Sequence, residues 1–492
     1  MLHKRRHADY NVSIKFDHGR DHPVLTKLIT RRQTRQRQPT KAELGRVVDR
    51  REFGLGVLAA GSAFATTHIK SAFALTSQPK EPRRVFAHYM VCCPMGGEHA
   101  PVDDYIKEIR QAQSHGIDGF ALNCGSWTEQ PRYRAIATRI FAAAATLGTG
   151  FKLFFSADWL SPDQVVAMVS EFYEHPNMLH FAKKPVLSTF GGYEEWAQAF
   201  LRPLATAGKP VFFVPFFFPH DLIGRFTGRF TDSNLAQLIA DNDFVDGYFF
   251  FGAGGSGDGI ANTSIKVGQA WRRAGKLYMA PVSPYYRGLG GNYRVFETRG
   301  FEGMAREWEA AIVADAQWVE IVTWNDWGES TYVADRGSPN VWDAHKGNLL
   351  SHAAYLAASE YYIRWFKTGV QRINRDDLYW FYRLSPRKKS GISNIENKTE
   401  GFPSGVENLE DRLFLTVFLI APAQVDVESG DRRYHFPLSA GVHHLSADFA
   451  LGLQKFRVER EGRTILTGQG AFPVSDDNWA NFNYLSGQAG RI

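Results

Sequence analysis

Asp326 and Glu329 sit three residues apart inside VTWNDWGES (322–330), which packs two tryptophans, an amide and two carboxylates into nine residues. Two carboxyl groups can share one hydrolytic task. One protonates a leaving oxygen while the other works on the far side of the bond being cut. A three-residue offset on a loop can hold such a pair apart with water between them. The plainer alternative is that Asp326 caps a helix and Glu329 is solvated. Trp324 and Trp327 favour the chemical reading, because exposed rings beside acids are costly without a ligand. Flat rings also stack on sugar faces, and carboxylates and amides grip hydroxyls.

More such side chains fall where other apolar runs end: His88, Asn123, Asp158 with Trp159, Tyr285 with Tyr286, and Asn325 beside Trp324. They are candidate saccharide contacts, with Asp158 equally at home as a structural acid. Other chemistries lack their residues. GAGGSG (252–257) matches a dinucleotide-loop pattern, but after Asp258 no Asp or Glu follows until Glu297 to hold a ribose. Its better role is a flexible loop beside the active face. His88 has no histidine two positions away, and His443 and His444 lie far along the chain, so no metal and no cofactor is expected. No G-x-S-x-G elbow occurs.

Eight apolar runs must position these residues: 85–91, 118–124, 152–158, 184–190, 210–218, 244–251, 276–284 and 318–324. They alternate with helical patterns such as VDDYIKEIRQAQSHG, stopped by Gly116, and SPDQVVAMVSEFYEH, opened by Ser161 and Pro162. Continuous apolar runs suit buried parallel strands. The rhythm predicts an α/β fold, a (β/α)8 TIM barrel over residues 75–371, with a doubly wound sheet as the rival. In a barrel, the C-terminal strand ends converge on one face, where the chemistry belongs. Residues 372–492 change texture to aromatic, turn-punctuated runs. They predict a C-terminal antiparallel β-sandwich with a polar loop at 387–411 and a tight hairpin at Glu461-Gly462-Arg463. The sandwich is expected to brace the barrel, since no exposed aromatic row stands out there.

The net charge of +6 belongs to the leader. Residues 1–51 carry 14 Lys+Arg against 5 Asp+Glu, and residues 75–492 are left with a net of −3. Nucleic acid is therefore not an expected partner. Residues 1–49 read as a basic, disordered extension. Residues 50–74 combine Arg50-Arg51, the weakly apolar GLGVLAAGSAFATT, Lys70 and Ala72-Phe73-Ala74, and resemble a bacterial twin-arginine export signal. A periplasmic or secreted protein with no stable membrane insertion after cleavage is expected. Cys92, Cys93 and Cys124 form no disulfide framework; Cys92 or Cys93 could meet Cys124, or all three could be buried thiols.

The runs VFAHYMV, IDGFALNCG, KLFFSADW, YMAPVSPYY, WVEIVTWNDWGES and YYIRWFKTG resemble glycoside hydrolase family 71, the α-1,3-glucanases or mutanases, in order over 85–492. The resemblance implies a barrel with a sandwich, no metal, and endo-hydrolysis of α-1,3-glucan with inversion by a bacterial member. It places the acid pair on Asp326 and Glu329 and makes Asp158 a substrate contact. Glu329 is expected to be the general acid, its pKa raised by apolar and carboxylate neighbours, and Asp326 the base. Two positions depart from the family motif: Trp327 stands where Tyr is usual, and Thr331 where His commonly follows the Ser. The alternatives are a hydrolase of another bacterial polysaccharide and a catalytically idle glycan-binding protein.

Overall fold

The computed structural model describes residues 82–219, 229–288, 292–335, 349–387, 402–476 and 482–492. The expected extension and export signal, and most of the loop 387–411, lie outside the described residues.

Strands and helices alternate along the first part. β1 (Arg84–Met90), α1 (Val102–Ser114), β2 (Gly119–Cys124), α2 (Pro131–Leu147), β3 (Lys152–Asp158) and α3 (Pro162–Phe172) come first. β4 (Lys184–Phe190), α4 (Glu194–Thr206), β5 (Phe212–Phe216), α5 (Asp232–Asp241) and β6 (Gly247–Phe249) follow. α6 (Gly257–Arg273), β7 (Leu277–Val282), α7 (Phe301–Val313), β8 (Trp318–Ile321) and α8 (Ala353–Thr368) complete the series. The eight strands form a curled parallel sheet in sequential order, in which β1 pairs with both β2 and β8. Between β5 and β6 the link is a hydrogen bond from Asp246 N to Phe213 O at 2.9 Å.

Local sequence explains the elements. Helix α1 buries Tyr105, Glu108, Ile109 and Ala112, the three-and-four spacing of one helix face. Ser161 precedes α3 at the cap position with Pro162 in the first turn. Its hydroxyl takes Gln164 Nε2 at 3.3 Å rather than a backbone N–H. β8 is shorter than its apolar run: pairing ends at Ile321, after which Thr323 N bonds Thr331 O and Trp324 N bonds His88 O. GAGGSG leads into α6, where Ser256 accepts from Gly259 N. A Cβ on Gly257 would come within 2.3 Å of Gly303 Cα, so that glycine serves the close approach of α6 to α7.

In-register partners of a parallel ladder share a face. His88 pairs with Ala121, Asn123 with Ser156, Ser156 with Ser188, and Phe86 with Glu320. The inner face therefore carries a layer of rings, Phe86 against Phe154 at 5.0 Å and Trp318 at 5.5 Å. A polar layer of His88, Ser156, Ser188 and Glu320 lies above it, nearer the C-terminal strand ends.

After α8 the strands are antiparallel. β9 (Asp377–Arg383), β10 (Arg412–Leu419), β13 (Gly441–Asp448) and β16 (Tyr484–Gln488) make one sheet. β11 (Ala423–Ser429), β12 (Arg432–Leu438), β14 (Gln454–Arg460) and β15 (Arg463–Gln469) make the other, with the short strand Gly490–Arg491 at its edge. Trp380 of one sheet stacks on Phe456 of the other at 4.6 Å, within an apolar core shared by both. The hairpin between β14 and β15 turns at Glu461 and Gly462, both with positive φ as a two-residue turn demands. The first antiparallel sheet also meets the α/β part: Phe381 lies 4.6 Å from Tyr355 of α8, and Tyr484 lies 4.8 Å from Tyr285.

Candidate active site

The segment after β8 is tied down at almost every residue. Asn325 is fully buried: its Oδ1 accepts from Met90 N at 2.7 Å, and its Nδ2 donates to Met90 O and Cys93 O. Trp324, 0% exposed, donates from Nε1 to Glu108 Oε2 at 2.8 Å, and Trp327, 4% exposed, donates to Cys93 O at 2.9 Å. The two rings are therefore not exposed, contrary to the sequence expectation. They are anchors that hold the loop to the end of β1 and to α1. Asn325 is likewise spent on backbone groups. Tyr285 is buried too, donating to Phe482 O at 2.6 Å. These four side chains spend their polar groups inside the fold and brace the site.

The two acids, Asp326 between the anchors and Glu329 just past them, are half-buried. Asp326 N donates to Thr323 Oγ1 at 2.8 Å, and Asp326 Oδ1 accepts from Glu329 N at 2.9 Å. Asp326 thus caps a turn rather than a helix, and Glu329 is held beside it rather than solvated. The Glu329 carbonyl accepts from Arg287 N at 2.9 Å. Ser330 adopts a left-handed backbone, φ 56°, which costs a non-glycine residue about 1–2 kcal/mol. The buried Arg287 guanidinium offsets it by donating twice to Ser330 Oγ, at 3.2 and 3.1 Å.

A hairpin missed in the sequence, Tyr286–Arg287 with Val295–Phe296, delivers the partners of Glu329. Tyr286 Oη donates to Glu329 Oε1 at 2.9 Å, and Asn292 Nδ2 donates to the same oxygen at 2.8 Å. Arg294 lies over the Tyr286 ring, 5.1 Å from its centroid. Burial and then the Asp326 charge push Glu329 up to about 7, against the pull of Tyr286, Arg294 and Asn292 toward the ionised form. So Tyr286, not Tyr285, is the tyrosine after β7 that meets Glu329. The signal for the hairpin was the glycine-rich GLGGN (288–292) before YRVF.

The C-terminal end of β3 supplies Asp158, pushed up to about 6 by burial and held back by the His88 charge and a hydrogen bond from Asn123. Beside it Trp159 is 46% exposed, with φ 51°, and lies directly on Gly191, where a Cβ would come within 2.6 Å of the indole. Cys92 and Cys93 are joined as neighbours, and Cys124 is buried and free, so the considered bridge to Cys124 is not formed. Among the described residues no three His, Cys, Asp or Glu side chains are grouped to hold a metal ion. Nor is any helix among them long and apolar enough to cross a membrane.

The arrangement offers one carboxyl group raised to about 7 and a second whose charge helps to raise it, on one hydrogen-bonded loop after a strand. Comparison with known proteins gives the family. The chain is 28% identical over 437 residues to glucan endo-1,3-alpha-glucosidase agn1 of Schizosaccharomyces pombe, covering 84% of this chain and 96% of that one. It is 27% identical to a mutanase of Penicillium rubens, covering 84% and 90%. Among solved structures, it is similar to a GH99 endo-alpha-mannosidase of Bacteroides thetaiotaomicron, at 16% identity and a TM-score of 0.45, over 59% of this chain and 99% of that one. The sequence pattern of glycosyl hydrolase family 71 matches residues 81–491. This chain belongs to glycosyl hydrolase family 71 and is a glycosidase.

Proposed function

We propose that the protein is an exported, endo-acting hydrolase of α-1,3-glucan that inverts the anomeric centre with two carboxylates. The reading takes the curled sheet as a (β/α)8 barrel (75–371) and the antiparallel sheets as a bracing β-sandwich (372–492). One observation carries it: Glu329, pushed up to about 7 by burial and by the Asp326 charge, lies with Asp326 on the loop that follows the eighth parallel strand. A general acid works best when its pKa lies near the operating pH. Glu329 in its protonated form donates to the glycosidic oxygen, which leaves as a hydroxyl. Asp326, as carboxylate, takes a proton from the water that adds to the anomeric carbon from the opposite face. A single displacement of this kind asks for carboxyl groups roughly 6.5–9.5 Å apart, against about 5–5.5 Å for retention.

The names of the two fungal relatives support α-1,3-linked glucan as the substrate. Asp158 and Asn123 serve as hydroxyl contacts, and Trp159 offers the exposed ring on which a glucosyl unit stacks. Export rests on the twin arginines and the A-x-A site of the leader. Digestion of insoluble α-1,3-glucan beside β-1,3- and α-1,4-glucans tests the reading. Reducing sugar is expected from the first alone, and release from either of the others in its place overturns the assignment.

A further inference from the structure

Below the rim acids, the inner face of the sheet carries a second polar set that the hydrolytic pair does not use. His88 Nδ1 lies 2.6 Å from Glu320 Oε1, and the two side chains are 1% and 0% exposed. Their outer atoms, His88 Nε2 and Glu320 Oε2, have no hydrogen-bond partner, and neither has the buried Ser156 Oγ on the same face. Buried polar atoms are nearly always paired, and an exception in a native fold calls for an explanation. Here three lie on one face of the sheet. The rings of Phe86, Phe154 and Trp318 close the space beneath them. Phe251 meets the His88 ring edge-on at 5.1 Å. Asp158 is near enough for the imidazole charge to act on it, and Asn123 bonds Asp158. Trp324 N, at the root of the acid-bearing loop, bonds the His88 carbonyl at 2.7 Å.

We propose that Glu320 is a positioning residue that presents His88 Nε2 to a hydroxyl of the glucosyl unit held under Asp326 and Glu329. The His88–Glu320 pair is the floor of the saccharide site. This rests on the glucan-hydrolase reading. Glu320 fixes Nδ1 as the inward donor and so points the other ring nitrogen at the ligand. Two variants separate that role from a purely structural one. His88→Asn keeps an amide near Nδ1, hence the Glu320 bond, but places nothing at Nε2. His88→Gln reaches the Nε2 position and gives up the Nδ1 bond.

The test is calorimetric binding and steady-state hydrolysis of soluble α-1,3-gluco-oligosaccharides, with near-UV circular dichroism confirming each fold. His88→Asn is expected to weaken binding by about tenfold or more, as for a lost hydrogen bond to a sugar hydroxyl, and His88→Gln by clearly less. Glu320→Gln is expected to lose less than His88→Asn, and the double variant to match His88→Asn alone, because both residues act through one contact. His88→Asn binding as well as or better than His88→Gln would overturn the contact. A double variant whose loss is the product of the single losses would overturn the positioning role. A wild type that binds the oligosaccharide without cleaving it sinks the hydrolase reading but leaves the variant ranking to judge His88; one that does not bind it overturns both.

Discussion

Removing the Tyr286 hydroxyl should move the alkaline limb of the activity profile upward. The phenol donates to Glu329 Oε1 at 2.9 Å, and that bond favours the ionised carboxylate. A hydrogen bond to a charged group is worth about 1.5–3 kcal/mol. The protonated acid keeps part of it, so roughly 1 kcal/mol separates the two forms. At 1.36 kcal/mol per pKa unit, Tyr286→Phe should raise Glu329 by about half to one unit. Asn292 still donates to the same oxygen at 2.8 Å, which limits the shift. The sign follows from the role: a general acid must hold its proton, so activity falls as pH rises through its pKa. In wild type that fall should centre on about 7. The assay is kcat/KM on soluble α-1,3-gluco-oligosaccharide between about pH 5 and 9, which reports ionisations of the free enzyme. Each profile is scaled to its own plateau. A limb that stays in place, or moves to lower pH, would refute Glu329 as the acid that controls it.

Asp326→Asn should cut hydrolysis by about 10²–10⁴-fold, the usual worth of a positioned acid or base, with the circular dichroism spectrum unchanged. Proton NMR of the first product released from α-1,3-glucan should show the β-anomer, and an initial α-anomer would refute the single displacement. Trp159→Ala should raise KM on polymer several-fold with kcat little changed, since the residue is 46% exposed and lies on Gly191; a fall in kcat alone would count against a platform. Gly257→Ala should destabilise by ~1–3 kcal/mol and lower Tm, because the new methyl meets Gly303 across the α6–α7 contact; an unchanged Tm would show that the two helices part freely.

Much of the fold was legible because buried parallel strands are written as unbroken apolar runs. β3 and β4 occupy the runs 152–158 and 184–190 end to end. β5 and β6 are shorter than PVFFVPFFF and FVDGYFFF, because phenylalanines past the strand ends pack as ring clusters, Phe216 against Phe218 and Phe249 against Phe251. AQVDVES, which forms β11, carries a weak apolar pattern beside LFLTVFLI of β10. The acid pair was legible from density alone. Its surroundings were not, because the partners of Trp324 and Trp327 lie 216 and 234 residues away in sequence. Nothing local says that an indole beside two carboxylates will turn inward to a buried glutamate or a backbone carbonyl. Asn292 and Arg294 were hidden for the same reason, reaching Glu329 through a hairpin whose pairing is tertiary.

The most direct test of the account sets wild type beside Glu329→Gln on insoluble α-1,3-glucan, reading released reducing ends and polymer binding together. The amide can still accept from Tyr286 and Asn292 sites after rotation but cannot give a proton to a glycosidic oxygen. Release should fall by about 10²–10⁴-fold while binding is retained. A variant that still releases sugar at the wild-type rate would contradict the central claim.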